Sequence, residues 1–307
     1  MNQFRRFYLW RRNKRKYPRL FYPKILNNKI QLPVLEQSTS DVKATFDICA
    51  LIPCFNNREG LLKSLDSIRY DVGKLFVVVV DDGSQVPVKE EDLFLLHDFE
   101  FPIHVIRIEQ NAGITNALNA GLQWIEKNVA VQYIARLDCG DLCHQDRFYK
   151  QASFLSQNPD VGLLGTWCTF RNPVNGFSYS YTTPTVHEAI LSAMHFRNVF
   201  IHPTVMFRSE IIEITGRYSL DYPFVEDYAL FFNILNKSKG AVLDEFLVTC
   251  ELNPKGISVS NRKQQLIGRK RVVSEFGSNP VKKLLSDCKL FILRYIPYGL
   301  VLSLKNK

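Results

Sequence analysis

The chain has 307 residues, 46% of them hydrophobic, and a formal charge of +9; that length and apolar content suit one large α/β domain or two modest ones and exclude a mainly disordered chain. Seven cysteines at irregular spacings, several inside apolar runs, exclude a disulfide framework and point to a reducing, cytosolic compartment. The charge is segregated: residues 1–30 hold ten Lys/Arg and no acid, residues 262–307 hold eleven against Glu275 and Asp287, and the stretch between holds 18 bases against 28 acids.

Basic ends of this kind meet either nucleic acid or an anionic membrane leaflet. The first of them, MNQFRRFYLWRRNKRKYPRLFYPK, mixes bases with aromatics and lacks the apolar stretch of a secretory signal, so no export is expected. No apolar run reaches about 18 residues, so no spanning helix is expected.

From Asp47 onward short apolar runs alternate with segments of helical period, the pattern of stacked βαβ units around a mostly parallel sheet. DICALIPCF reads as a strand and NREGLLKSLDSIRY as the helix after it, with Leu61, Leu62, Leu65 and Ile68 on one face. KLFVVVVDDGS is the clearest strand, its four valines suited to a centre buried on both faces. IHVIRIE is a third strand. GITNALNAGLQWIEKN then carries Ile114, Leu118, Leu122 and Ile125 at helical spacing, and VQYIARLD follows as a fourth strand. Ligands bind beyond the carboxyl ends of strands in such sheets. Three of these strands end in polar turns, PCFNN, DDGS and DCGD, so Asp81, Asp82, Asp138 and Asp141 are expected along one rim.

Beyond Asp141 the reading gives a helix over QDRFYKQASFLSQNP, strands over VGLLGTWCTF, GFSYSYTT and HPTVMFR, a helix over YPFVEDYALFFNILNKS and a last strand over AVLDEFLVTCEL. In NPVKKLLSDCKLFILRYIPYGLVLSLK, Val281, Leu284, Leu285, Cys288, Phe291, Ile292 and Tyr295 recur at helical spacing among Lys282, Lys283, Lys289 and Arg294. A basic amphipathic helix in a bilayer interface and a terminal helix packed on the domain core both fit; charge at both ends favours the membrane.

A rim of carboxylates invites Mg²⁺ or Mn²⁺, which take oxygen ligands and bridge them to phosphates. Asp and Gly also make good turns after strands, and for a single turn that explanation suffices; several on one rim weaken it. Cys139, Cys143 and His144 raise the question of zinc, but no second Cys or His pair follows at finger-like spacing.

The chain resembles the inverting, GT-A-fold glycosyltransferases of family 2, in particular bacterial enzymes of lipopolysaccharide, O-antigen and capsule synthesis. The resemblance covers roughly residues 46–260. It rests on IPCFNN, VVVVDDGS, NAGITNALNAGL, ARLDCGD followed by QDRFYKQASFLSQNP, HPTVMFR and VEDYALF, in that order. It implies a mixed, mostly parallel sheet flanked by helices, with a basic arm over 1–44 and a GT-A domain over 45–260. That domain would have a nucleotide-binding half (45–141) and an acceptor-side half (142–260), followed by basic amphipathic helices over 261–307. It also implies that Pro53, Phe55 and Asn56 border the nucleobase, with Phe55 stacked on uracil and Asp82 hydrogen-bonded to the base. Asp138 begins the DXD motif that handles the ribose and the diphosphate-bound metal. Asp227 stands where the family keeps its general base, with Glu226 as the alternative; both acids also suit the first turn of a helix.

The motif departs from the family at Asp138-Cys139-Gly140-Asp141, where many relatives read Asp-x-Asp-Asp. Asp138 with Asp141 as metal ligands, a weakly bound metal, and neutralisation of the diphosphate by cationic side chains are the options; Gly140 permits a turn that brings Asp141 in. Asn111 and Arg136 are candidates for the nucleotide or for satisfaction within the fold, His202 for the acceptor pocket or a structural loop, and Trp167 for sugar stacking or core packing.

The expected activity is non-processive transfer, with inversion, of a hexose-type sugar from a nucleotide-sugar of the UDP-linked kind to a lipid-linked or lipopolysaccharide-type glycan at the inner face of the plasma membrane. The Gln-x-x-Arg-Trp signature of processive relatives is absent. A nucleotidyltransferase would need a Gly-rich, basic loop after the first strand, which IPCFNNREG lacks. A nucleic-acid-binding protein would use the basic arm; no nucleic-acid partner is expected.

Overall fold

The computed structural model describes residues 43–252 and 261–296; the basic arm, apart from Lys43 and Ala44, and the end of the amphipathic tail lie outside the described residues. The first half alternates β1 (Ala44–Cys54), α1 (Arg58–Asp66), β2 (Leu75–Asp82), α2 (Glu90–Leu96), β3 (Ile103–Ile108), α3 (Ile114–Asn128) and β4 (Val129–Arg136). After it come β5 (Leu142–Cys143), α4 (Arg147–Gln157), β6 (Val161–Arg171), β7 (Ser178–Tyr181), α5 (His187–Met194), a 3₁₀ turn (His202–Thr204), β8 (Met206–Arg208), α6 (Ser209–Thr215), α7 (Glu226–Leu235) and β9 (Lys239–Glu251). Helices α8 (Arg262–Phe276) and α9 (Pro280–Tyr295) close the described chain.

The strands form one mixed sheet in the order β3-β2-β1-β4-β8-β6-β9-β5, with β7 paired to β6. β1, β2, β3, β4, β6 and β9 run one way, and β5, β7 and β8 run against them. The chain leaves β1 toward β2 and β3, then crosses back to place β4 on the other side of β1. That reversal opens a crevice at the carboxyl ends of β1, β2 and β4, the place where such sheets bind ligands.

Alternation along the strands divides the core. Cys49, Leu51, Val78 and Val80 face α3 and α7 in one cluster, while Ile48, Ala50, Ile52, Val77 and Val79 face α1 and α4 in the other. The four valines of β2 are therefore buried two to a face, each contributing on the order of 1.5–3 kcal/mol by burial. This sheet is rigid at its centre, and its polar turns inherit fixed positions.

Three helices, α2, α5 and α6, occupy segments the sequence reading leaves unassigned; they have seven or eight residues, too few for a 3.6-residue period to repeat. α8 falls within the helices expected over 261–307; of its 15 residues only Val272 and Val273 are buried. HPTVMFR, expected to be one strand, splits: Pro203 lacks a ladder N–H and sits in the 3₁₀ turn, leaving Met206–Arg208 to pair with β4 and β6.

Candidate active site

The three polar turns meet. Asn56 after β1 takes a left-handed conformation (φ 50°), its N–H donates to Ser84 Oγ (2.9 Å), and its Oδ1 accepts from Gln85 N–H (2.8 Å). Next to it Asn57 caps α1 by accepting from Gly60 N–H (3.0 Å) and donates through Nδ2 to Cys139 O (3.2 Å), while Cys139 Sγ–H returns a bond to Asn57 O (3.0 Å). The β1 turn is thus tied to the DDGS turn on one side and to the DCGD turn on the other. Phe55, between them, is 48% exposed and presents a free ring; Pro53 is half-buried beneath it in the strand.

The two acids of DDGS differ in task. Asp81 is fully buried and accepts from Ser84 N–H (3.0 Å), Val88 N–H (3.0 Å) and Arg107 Nη1 (2.5 Å). Burial alone would raise its pKa, but these bonds outweigh it and hold the carboxyl below its usual value, so Asp81 is an ionised brace for the turn. Asp82 accepts from Asn111 Nδ2 (2.9 Å), Ala112 N–H (2.8 Å) and Gly113 N–H (3.0 Å). It pulls the loop before α3 over the crevice and orients Asn111. Gly83 is required there: its φ is 76°, and a Cβ would stand 2.4 Å from Asn111 N.

Arg136 is fully buried at the end of β4. Its Nη2 donates to Asp138 Oδ1 (2.6 Å), Nη1 donates to Leu51 O, and Nε donates to His202 Nε2 (3.4 Å). Burial, and then the Arg136 charge, hold His202 well below the ordinary histidine value. The ring is therefore neutral and its Nε2 accepts, also from Tyr218 O–H (2.8 Å). Beneath this network lies a residue the sequence reading overlooked: Arg147 on α4, fully buried, donates to Gln151 Oε1 (3.0 Å) and Arg136 O (2.8 Å). It stood in the quoted QDRF segment, but nothing there distinguishes a buried Arg from a surface one.

Gly140 has φ 108°, and the turn it makes differs from the one expected. Asp141 swings under the rim: its Oδ1 accepts from Glu251 N–H (2.7 Å), and burial, then the Asp138 charge, push its carboxyl up to about 8. Over the bare Cα of Gly140 stands Glu251 of β9; a Cβ at position 140 would lie 3.5 Å from Glu251 Oε2. Among the described residues no three His, Cys, Asp or Glu side chains converge on one point. Asp138, two residues before Gly140, and Glu251, whose Oε2 stands near it, are carboxylates of the hard kind that Mg²⁺ or Mn²⁺ completes with diphosphate and water. The cysteines point elsewhere: Cys139 lies 3.6 Å from Cys54, and Cys143 Sγ accepts from Arg147.

Glu226 and Asp227 open α7. Asp227 is half-buried; its Oδ2 accepts from Asn198 Nδ2 (2.9 Å) and its Oδ1 from Tyr228 N–H (2.7 Å). Burial pushes it up to about 6 against the pull of Tyr228 N–H, Arg269 and Asn198, and the Asp138 charge adds to the rise. That last influence brings Asp227 within electrostatic reach of Asp138. Glu226 is buried and raised to about 7 by burial and by Asp227, and among the described residues its Oε2 has no hydrogen-bond partner. Trp167 stands apart: its Nε1–H donates to Thr183 O (3.0 Å) and its ring packs on Phe246.

This sheet, with a crevice at the carboxyl ends of β1, β2 and β4 lined by an exposed aromatic ring and separated acids, defines the GT-A class of nucleotide-sugar transferase folds. The S. aureus protein TarS 1-349, solved in complex with UDP-GlcNAc, shares it with a TM-score of 0.60 and 15% identity over 77% of this chain and 69% of that one. The glycosyl transferase family 2 profile matches residues 49–214, and the chain belongs to that family. Among relatives, the amylovoran biosynthesis glycosyltransferase AmsE of Erwinia amylovora is 31% identical over 182 residues, 59% of this chain and 64% of that protein. The UDP-Gal:α-D-GlcNAc-diphosphoundecaprenol β-1,3-galactosyltransferase of Escherichia coli is 30% identical over 142 residues, 46% of this chain and 50% of that protein. The aligned region thus spans between half and two thirds of these two relatives.

Proposed function

We propose that the protein transfers a hexose-type sugar, with inversion and one residue at a time, from a UDP-sugar to a hydroxyl of a lipid-linked or lipopolysaccharide-type glycan. The observation that supports this most is the placement of Asp227 at the head of α7, within electrostatic reach of Asp138 while the β1, β2 and β4 turns are bonded into one rim.

In this reading uracil stacks on Phe55, with Asp82 and Asn111 at the base edge. The diphosphate lies along the DCGD turn, where Arg136 holds Asp138 in place. A divalent cation, held by Asp138 and Glu251, would supply Lewis-acid stabilisation of the departing diphosphate. Asp227 accepts the proton of the acceptor hydroxyl as that oxygen bonds to the anomeric carbon. The bond from that carbon to the diphosphate oxygen breaks, and its electron pair leaves with the diphosphate. Attack from the face opposite the leaving group inverts the centre. Glu226 Oε2, buried and without a partner among the described residues, is relieved of its desolvation cost by a sugar hydroxyl.

The acceptor's lipid and the anionic membrane surface are supported by α9. Its Val281, Leu284, Leu285, Phe291, Ile292 and Tyr295 are exposed, while Ser286 and Leu290 face the protein. The apolar stripe therefore turns away from the core, as an interfacial helix requires. Among the described residues no helix is long and apolar enough to cross a membrane.

The test is transfer from a panel of UDP-sugars to membrane-extracted glycolipid, with the anomeric configuration of the product read by NMR. A product inverted relative to the donor is expected. Retention of configuration, or no consumption of any UDP-sugar, would refute the proposal.

A further inference from the structure

The segment that follows α5 is seated on α7 through alternate residues. Asn198 Nδ2 donates to Asp227 Oδ2 (2.9 Å) at the head of that helix. Phe200 sets its ring edge-on to Phe231 (5.7 Å, 67°), and the His202 ring meets the same Phe231 edge-on (5.6 Å, 77°). Asp227 and Phe231 are four residues apart on α7, so they share one face of it, and the segment lies along that face.

Asn198 is held from behind as well. Its Oδ1 accepts from Phe200 N–H (3.2 Å), which fixes the orientation of the amide: the acceptor end is taken by the backbone and the donor end is left for Asp227. Val199 N–H, between the two, donates to Met194 Sδ (3.3 Å). The Phe200 ring fills a slot that two glycines leave open in the sheet: a Cβ at Gly165 of β6 would lie 2.9 Å from Phe200 Cδ1, and one at Gly240 of β9 would lie 3.1 Å from Phe200 Cζ. The amide thus inherits its position from the sheet, although it stands in a connecting segment.

An amide N–H can only donate, and its bond to a charged carboxylate is about twice as strong as one to a neutral group. That bond favours the ionised carboxylate, while Tyr228 N–H on Oδ1 (2.7 Å) gives it a second anchor. The charges that bear on Asp227 come from Glu226 beside it, Asp138 of the DCGD turn and Arg269 of α8, and the hydroxyls of Tyr218 and Tyr228 lie within its influence. Among the described residues Asn198 is the one side chain hydrogen-bonded to it.

We propose that Asn198 is a positioning residue of the transfer: its amide fixes the rotation of the Asp227 carboxylate and favours the charged form that accepts the hydroxyl proton. The inference rests on Asp227 being the base of the proposed transfer.

Two measurements on full-length protein test it. The first is carbon-13 NMR of aspartate-labelled protein, with the Asp227 carboxyl assigned as the resonance missing from Asp227→Asn. The wild-type carboxyl should titrate at about 6. In Asn198→Ala the midpoint should lie higher, and in Asn198→Asp higher by about one pH unit or more, because a second carboxyl then faces the first. Asn198→Asp keeps the size of the side chain and an oxygen for Phe200 N–H, so it decides the matter even if the alanine variant does not fold. The second measurement is transfer from UDP-sugars to membrane-extracted glycolipid. Asn198→Ala should lose about tenfold in kcat or more at pH 7, as for one lost charge-assisted bond, with KM for the UDP-sugar unchanged and the rising pH limb displaced upward. Added to Asp227→Asn it should cost nothing further, since both act through one group. An unmoved midpoint, or a loss in the double variant equal to the product of the two single losses, would reduce Asn198 to a packing residue and overturn the inference while leaving the base in place. Unimpaired transfer by Asp227→Asn would instead remove the base, and the inference with it.

Discussion

Asp227→Asn is expected to lower kcat for sugar transfer by about 10²–10⁴-fold, the range a positioned general base supplies, with little change in the KM for the nucleotide-sugar. Asparagine keeps the size of the side chain and an oxygen for Asn198 Nδ2 and Tyr228 N–H, so the pocket survives and only proton acceptance is lost. The pH dependence gives a second readout. Burial pushes Asp227 up to about 6, and a base works only when ionised, so wild-type transfer should climb with pH through about 6 and level off above it. In the variant that limb disappears. Stability should move the other way: the folded protein holds this proton more tightly than the unfolded chain does. Stability linked to Asp227 is therefore lost as pH rises from 3.8 to about 6, and the variant should be at least as stable as wild type at pH 8. Unimpaired transfer by Asp227→Asn would shift the role to Glu226.

The largest loss of stability is expected from Arg136→Met, about 1.5–3 kcal/mol in urea unfolding, the cost of losing the hydrogen bonds of a buried charged group whose ion-pair partner, Asp138, is itself partly exposed. Methionine fills much of the volume but gives nothing to Leu51 O, Asp138 Oδ1 or His202 Nε2, all of which Arg136 now serves. Leu51 O would keep the bond from Leu137 N–H (3.3 Å) and His202 Nε2 the one from Tyr218 O–H (2.8 Å), so the cost is that of charge-assisted bonds lost rather than of acceptors left bare. A destabilisation below about 1 kcal/mol, the scale of an exposed ion pair, would show that Arg136 is not the clamp described.

How far the site was legible in the sequence depended on whether its parts lie close together along the chain. The valines of β2 and the apolar face of α3 announced themselves because burial repeats over many residues. That Phe55, Asp82 and Asp138 would lie along one rim was legible because each stands at or just past a strand end, and strand ends on one side of a parallel sheet share a rim. The role proposed for Asp227 comes from the order of motifs alone, since a Glu-Asp pair at a helix start is ordinary. Asp141 shows the limit: its distance along the sequence from Asp138 fits a shared ligand set, but the left-handed turn at Gly140 sends it under β9. Glu251 was invisible for the converse reason. Its approach to Gly140 depends on the pairing of Leu142 with Thr249, a register that no local pattern encodes.

The central claim is that turns far apart in sequence make one nucleotide pocket, and amide hydrogen exchange with and without UDP tests it most directly. Peptides covering 53–57, 82–85, 111–113 and 138–141 should slow together when UDP binds. UDP binding that leaves these four segments unchanged, or protects only one of them, would contradict the claim.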